Sequence, residues 1–406
     1  MKTRLEEWLE SFDKELVTVV FLLMGLGFVV MTSASVAIGE KLYDNPSHFM
    51  QRQLMYMTLG LLLGLIIYQI RLQVWRSLGL ALLPVILFLL VAVLIPGIGK
   101  EVNGSRRWID LGFASLQVSE VSKLIILMYL AGYMDRHGDK LVNSDSYKPL
   151  MMPLIVLGVF GTLLLLEPDF GTVVVVFSTG LAMLFLGGVK LSRLALLLAG
   201  TIAVMLPFLL LVGFRQDRII SFLNPWADAS GTGYQVTNAL MAIGDGGWFG
   251  SGLGGSVQKQ FFLPEAHNDF IFAILADEFG FIGIVITLAL FGWLVKRAFA
   301  IGMMADQRKL YYAAYLAYAI GFWIGFQALF HIGVNLAVLP PKGLTLPFIS
   351  YGGSSLLVTL MAIAILLRIH RETQSVPLGT HKKQLAKKRK PKKQATTRPR
   401  RAQHAG

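Results

Sequence analysis

The chain contains no cysteine among its 406 residues. That removes disulfide frameworks, thiolate nucleophiles and cysteine metal sites together. Charge is scarce too: Asp, Glu, Lys and Arg supply 15% of the residues, against 55% hydrophobic. A soluble domain of this size cannot hide so much apolar sequence, and a mean hydropathy of +0.62 points to a helical membrane protein. The alternating ten-residue pattern of a transmembrane barrel is absent, since apolar residues run unbroken, as from Leu78 to Ile95. There is no GxxxxGK[ST] phosphate loop, no HExxH zinc motif and no GxSxG nucleophile elbow, and no resident metal site is expected. No cleavable leader is expected either. The first apolar run begins near Leu16, is too long for a signal h-region, and lacks a small-residue cleavage site.

The net charge of +13 is concentrated at one end, where residues Arg371 to Gly406 hold twelve Lys or Arg and one acid, Glu372. The run KKQLAKKRKPKK could suit nucleic acid. A disordered tail lying on anionic cytoplasmic lipid is the better account, and no nucleic-acid partner is expected.

Ten apolar runs are long enough to cross about 30 Å of hydrocarbon. They lie near 17–37, 53–70, 77–96, 118–134, 150–166, 170–188, 194–213, 269–295, 311–338 and 351–369. With the N-terminus inside, the inner segments hold fourteen Lys or Arg before the last span and thirteen after it, the outer loops hold nine, and Lys123 lies within a span. The positive-inside rule therefore puts both termini in the cytoplasm. The expected fold is all-α: a polytopic integral membrane protein of about ten transmembrane helices. Its parts are a cytoplasmic amphipathic segment at 1–16, a membrane domain at 17–370 and a basic tail at 371–406. In the first part Leu5, Trp8, Leu9, Phe12 and Leu16 share a helical face, with Glu6, Glu7, Glu10 and Asp13 opposite or beside them.

Two outer loops are long, at about 96–117 and 214–268, the second between spans 7 and 8 and rich in glycine and aromatics. A long loop without helical periodicity is usually functional or disordered, and Trp226, Tyr234, Trp248 and Phe261 argue against disorder.

Five stretches carry candidate chemistry. LPEAHNDFIF (263–272) sets Glu265, His267 and Asp269 at the outer mouth of the eighth span. Asp269 could be a helix N-cap, but three ionisable groups at an interface are costly, and a carboxylate beside hydrocarbon suits a general base. NGSRRWIDLG (103–112) offers Arg106 and Arg107 as phosphate-matching forks beside Trp108, although interfacial anchoring explains the same residues. In the fourth span, Lys123 lies one turn from Glu120, as a structural ion pair or a substrate contact. LEPDFG (166–171) breaks the chain between two spans. A turn with an N-cap accounts for Asp169 and leaves Glu167 unexplained. PPKGLTLPFISYGGSS (340–355), with Lys342 and Ser350, implies non-helical backbone at membrane depth, tolerated only where it lines protein or a cavity.

These motifs, in this order, resemble the SEDS family (shape, elongation, division and sporulation), from about Asp13 to Arg371. The stretch KGLTLPFISYGGSS looks like the family's division branch. The resemblance implies a peptidoglycan glycosyltransferase that polymerises lipid II on the outer face of the cytoplasmic membrane at the division septum. A class B penicillin-binding protein and other divisome proteins would be its partners. It makes Asp269 the catalytic candidate, with Arg107, Trp108 and Lys123 matching family positions. Arg106, Glu167, Asp169, Glu265, His267, Lys342 and Ser350 complete the candidate substrate contacts. The family usually has Thr where this chain has Asn268, and often Gln where it has Glu167. Inversion at an α-linked pyrophosphate needs a base for the acceptor 4-hydroxyl and positive charge for the leaving group. A divalent cation, Mg or Mn, could share the second task. Two rivals remain open: a lipid II flippase, which broken helices favour, and a division scaffold without catalysis.

Overall fold

The computed structural model describes residues 11–102, 104–110, 112, 115–143, 146–210, 222 and 224–377. The amphipathic segment before Ser11 and the tail after Pro377 lie outside the described residues, as do 211–221.

Each of the ten apolar runs falls on a helix. In chain order these are α1 (Lys14–Tyr43), α2 (His48–Gln69), α3 (Leu72–Leu94), α4 (Val118–Asn143), α5 (Lys148–Leu166), α6 (Phe170–Leu186) and α7 (Leu191–Leu210). Then come a short α8 (Tyr234–Asp245), α9 (Ile271–Gln307), α10 (Tyr311–Asn335) and α11 (Gly353–Gln374). Among the described residues, seven of them are long and apolar enough to cross a membrane: α1, α2, α3, α5, α9, α10 and α11. Helices α2, α3 and α5 keep Leu, Ile, Val and Met exposed along one side, whereas α4 is buried continuously from Ser122 to Met134 and α10 along most of its length. In a bilayer the exposed apolar stripes face lipid and the buried helices form the centre. The chain is thus an all-α, multi-pass membrane protein.

Polar locks hold one end of the bundle. Asp13 caps α1 by accepting from the Leu16 N–H at 2.9 Å, and its two oxygens accept from Arg297 of α9 at 2.6–2.9 Å. Glu372 of α11 accepts from the Leu72 N–H at 3.0 Å, supplying a partner that α3 lacks internally.

Three features depart from the sequence reading. First, the 96–117 loop folds into a small antiparallel sheet of β1 (Gly99–Val102), β2 (Ser105–Asp110) and β3 (Ser115–Gln117), in that order. Gly104 turns β1 into β2 at φ 72°, and Lys100 pairs with Trp108 and Trp108 with Gln117. Second, the 214–268 stretch is not a plain loop. It contains α8, whose small and apolar residues Val236, Ala239 and Ala242 are buried. Third, the eighth run is broken at Gly280, which has φ 63° and ψ −163°, a conformation open to glycine. Residues 271–279 form a short buried helix, and 281–307 form the long one. The loop closes the break: Gly247 and Trp248 carbonyls accept from the Phe281 and Ile282 N–H groups at 2.9 and 3.3 Å. Ser251 and Gly252 N–H groups donate to the Asp277 and Glu278 carbonyls at 2.8 and 3.2 Å. Both cut ends therefore find backbone partners.

Candidate active site

The 340–355 loop organises the site. Between α10 and α11 it has no helix, yet Leu344, Leu346, Phe348 and Ile349 are buried. Buried irregular backbone must find its hydrogen bonds elsewhere. Here α10 supplies them from one face, at a spacing of four residues. Gln327 Nε2 donates to the Thr345 carbonyl at 2.9 Å, and His331 Nδ1 donates to the Leu344 carbonyl at 2.6 Å. Asn335, one turn further, reaches the segment before α9. Helix α1 comes so close that a Cβ on Gly27 would meet the Phe348 carbonyl oxygen at 2.4 Å.

The segment carrying Asp269 is pinned to this loop. The Tyr351 N–H donates to the His267 carbonyl at 3.0 Å, and Ser350 Oγ donates to the Asn268 carbonyl at 2.8 Å while accepting the Leu346 N–H at 2.7 Å. Helix α9 begins at Ile271, with Phe270 rather than Asp269 at the N-cap position. Asn335 does the capping in trans. Its Oδ1 accepts from the Ala273 N–H at 3.1 Å, and its Nδ2 donates to the Asp269 carbonyl at 3.1 Å. The Asp269 carboxylate lies against Gly343, where a Cβ would stand 3.2 Å from Oδ2. Position 343 thus leaves room beside the carboxylate that a larger residue would take.

Lys342 brings the next element in, its Nζ lying 4.6 Å above the Phe170 ring. Phe170 follows the EPD turn, and the neighbouring Gly171 packs on Leu344 so closely that a Cβ would meet it at 2.7 Å. Asp169 caps α6 through the Thr172 N–H at 3.2 Å and hydroxyl at 2.9 Å. Glu167 is 0% exposed, and neither carboxyl oxygen has a hydrogen-bond partner. Burial pushes its pKa up to about 9, the neighbouring Asp169 adds to the rise, and Arg107 opposes it. Arg107 spends two of its donors on this turn, Nε to the Glu167 carbonyl at 2.9 Å and a terminal nitrogen to the Pro168 carbonyl at 2.7 Å.

The two arginines do not form a common fork. Neighbours on a strand point to opposite faces, so while Arg107 reaches the EPD turn, Arg106 turns away to Glu101 at 3.0 Å, an exposed pair. Other expected contacts are also engaged within the protein. Lys123 is 1% exposed, donating to Glu120 at 2.8 Å and to Gln327 Oε1 at 3.0 Å, with the Trp323 ring 5.2 Å away. His267 is buried among the rings of Phe49 and Tyr351, and desolvation lowers its pKa to about 4, so it is neutral at pH 7. Ser350 is a buried brace between two loops. Glu265 is exposed on left-handed backbone with φ 55°.

Beside Asn268 lies a polar cleft of about 360 Å³, with Trp108 of β2, Arg52 and Tyr56 of α2, Thr345, Tyr351 and the first residues of α11 in its wall. Among these only Trp108 was singled out from the sequence. Arg52 had the signal of a cation at a span's outer end; Gln327, His331 and Asn335 had the signal of a polar stripe within an apolar helix. Among the described residues no group of three or more His, Cys, Asp or Glu is placed to hold a metal ion.

The sequence model of the FtsW, RodA and SpoVE cell cycle proteins matches residues 14–375. The chain belongs to this family. A relative named probable peptidoglycan glycosyltransferase FtsW, from Thioalkalivibrio sulfidiphilus, is 48% identical over 91% of this chain and 92% of its own. Another of that name, from Coxiella burnetii, is 47% identical over 90% and 98%. Among solved structures, one chain of a peptidoglycan synthase complex that coordinates polymerization and crosslinking aligns with a TM-score of 0.73 at 29% identity, over 89% of this chain and 98% of that one. The rod shape determining protein RodA of Thermus thermophilus aligns with a TM-score of 0.65 at 28% identity, over 89% and 97%.

Proposed function

We propose that the protein is a peptidoglycan glycosyltransferase that joins lipid II units into β-1,4 glycan strands at the division septum. It works on the outer face of the cytoplasmic membrane, with about ten spans and both termini inside, alongside a class B penicillin-binding protein and other divisome proteins. The observation that carries this is convergence. Asp269, Lys342, the EPD turn and Arg107 come from four separate stretches and meet around the 342–344 backbone.

In this reading Asp269 is the base that takes the proton of the acceptor 4-hydroxyl as its oxygen attacks the anomeric carbon of the donor. The bond to the polyprenyl diphosphate breaks on the opposite side, and Lys342, with the outward edge of Arg107, offsets the charge that develops on the departing oxygen. Asn335 holds the Asp269 backbone, and Gly343 leaves space for the reacting hydroxyl. The adjoining cleft, with Trp108 as a stacking wall and hydroxyl and amide groups around it, suits a sugar. Lys123 acts through Gln327 and Thr345, keeping the loop in place rather than touching substrate.

A lipid II flippase would need ionisable groups along a path through the bilayer. The buried Lys123–Glu120 pair is tied to Gln327 and, through it, to the 340–355 loop. The test is polymerisation of lipid II by the purified protein with its penicillin-binding partner. Glycan strands longer than a dimer support the proposal. Transbilayer movement of lipid II in vesicles without any strand formation would replace it with the flippase reading.

A further inference from the structure

The loop that threads the break in α9 leaves six large apolar side chains in the open: Trp248, Phe249, Leu253, Val257, Phe261 and Phe262. Phe249 is 81% exposed and Trp248 70%, so burial within the chain does not account for them. Their positions relative to two spans give their depth. The Gly247 and Trp248 carbonyls take the first N–H groups of the 281–307 helix, so this loop sits where that span leaves the membrane. The Trp248 ring stands edge-on to Phe281 at 5.2 Å. From Phe281 the exposed apolar stripe continues through Ile282, Val285 and Ile286 at helical spacing. At the other end of the patch, Lys41 lies 4.3 Å over the Phe261 ring. Lys41 is in the last turn of α1, where a span ends and a cation sits at headgroup level.

We propose that this patch is a membrane-surface anchor: residues 248–262 insert their apolar side chains into the headgroup and acyl boundary of the leaflet at that face, with Lys41 at the phosphates. The lipid-facing stripe of α9 runs into the patch without a polar break. Tryptophan and phenylalanine beside a lysine is the composition that interfaces favour. The anchor holds the loop, and through the Gly280 break the short helix after Asp269, at a fixed depth. A lipid-linked substrate whose diphosphate is confined to the headgroup layer meets the site at that depth.

The absence of cysteine makes the test direct. Phe249→Cys and Val257→Cys, each the sole thiol of the full-length protein, are spin-labelled in nanodiscs of phosphatidylethanolamine and phosphatidylglycerol. Glu101→Cys on β1 serves as the aqueous reference. Collision rates with oxygen and with a water-soluble nickel chelate are then compared. The proposal expects oxygen to exceed nickel at 249 and 257 by several-fold more than at 101, without any partner present. Nickel access at 249 and 257 equal to that at 101 overturns it. So does access that falls only when the penicillin-binding protein is added, which would make the patch a protein-docking face. Two positions with exposed side chains guard against one label disturbing the fold.

Discussion

Replacing Glu167 by glutamine should stabilise the protein, and by an amount that grows with pH. The side chain is fully buried, its oxygens have no hydrogen-bond partner, and the nearby Arg107 is committed to backbone carbonyls. Its pKa is pushed from 4.5 to about 9, so the folded protein keeps it neutral at pH 7. The unfolded chain does not. The stability that goes with the neutral acid is complete below pH 4.5 and is lost as pH rises towards about 9. At about 1.36 kcal/mol for each pH unit above 4.5, folding at pH 7 gives up roughly 3 kcal/mol, and at pH 9 roughly 6. Glutamine has the same shape and no charge to lose. Glu167→Gln should therefore match wild type near pH 4.5, and exceed it by about 3 kcal/mol at pH 7, or a few degrees in thermal midpoint. The assay is thermal unfolding in detergent from pH 5 to 9, with lipid II turnover at pH 7, which the variant should keep. Parallel stability curves for the two proteins would refute the neutral-acid account. A stable but inactive variant would mean that Glu167 handles a proton in the reaction.

Lys123→Ala should cost about 3–5 kcal/mol, because it strands the buried Glu120 carboxylate; Lys123→Met combined with Glu120→Gln should recover most of that loss in thermal unfolding, and a double variant as unstable as Lys123→Ala would contradict the stranded-carboxylate account. Asn335→Ala removes one buried partner from the Asp269 carbonyl, while the Ala273 N–H keeps the Phe270 carbonyl at 3.0 Å, so the cost should be about 1–3 kcal/mol in all; turnover should fall at least tenfold while lipid II binding, by equilibrium titration, changes less than threefold. Deleting the chain after Thr380 removes eleven Lys and Arg and should weaken sedimentation with anionic vesicles while leaving polymerisation in detergent intact, since that tail cannot reach across about 30 Å of hydrocarbon.

The apolar runs announced the helices because a membrane helix needs about 20 consecutive apolar residues. The motifs around Asp269, Glu167 and Lys342 were legible because charge, proline and glycine are conspicuous against such a background. What escaped reading was pairing. Arg106 and Arg107 look like one anion site until a strand sends them to opposite faces, and an RRWID strand only exists because β1 and β3 flank it. Asp269 looks like a cap until Asn335, from another helix, takes the role. The break at Gly280 was hidden because glycine is common in membrane helices, and its hydrogen bonds come from a loop some thirty residues earlier. The Gln327, His331, Asn335 stripe could have been found. Three polar residues at intervals of four on an apolar helix face need partners, and the 340–355 loop was already marked as irregular backbone in need of them.

The central claim is that the Asp269 carboxylate is the base in glycan polymerisation. Asp269→Asn keeps the shape and the backbone contact with Asn335 but removes the proton acceptor. The measurement pairs turnover of lipid II by the purified complex with equilibrium binding of lipid II, for wild type and variant. The account predicts a fall in turnover of roughly 100-fold or more, the range lost with a general base, and binding within threefold of wild type. Turnover within threefold of wild type, in a variant that binds lipid II and unfolds at the wild-type temperature, would contradict it.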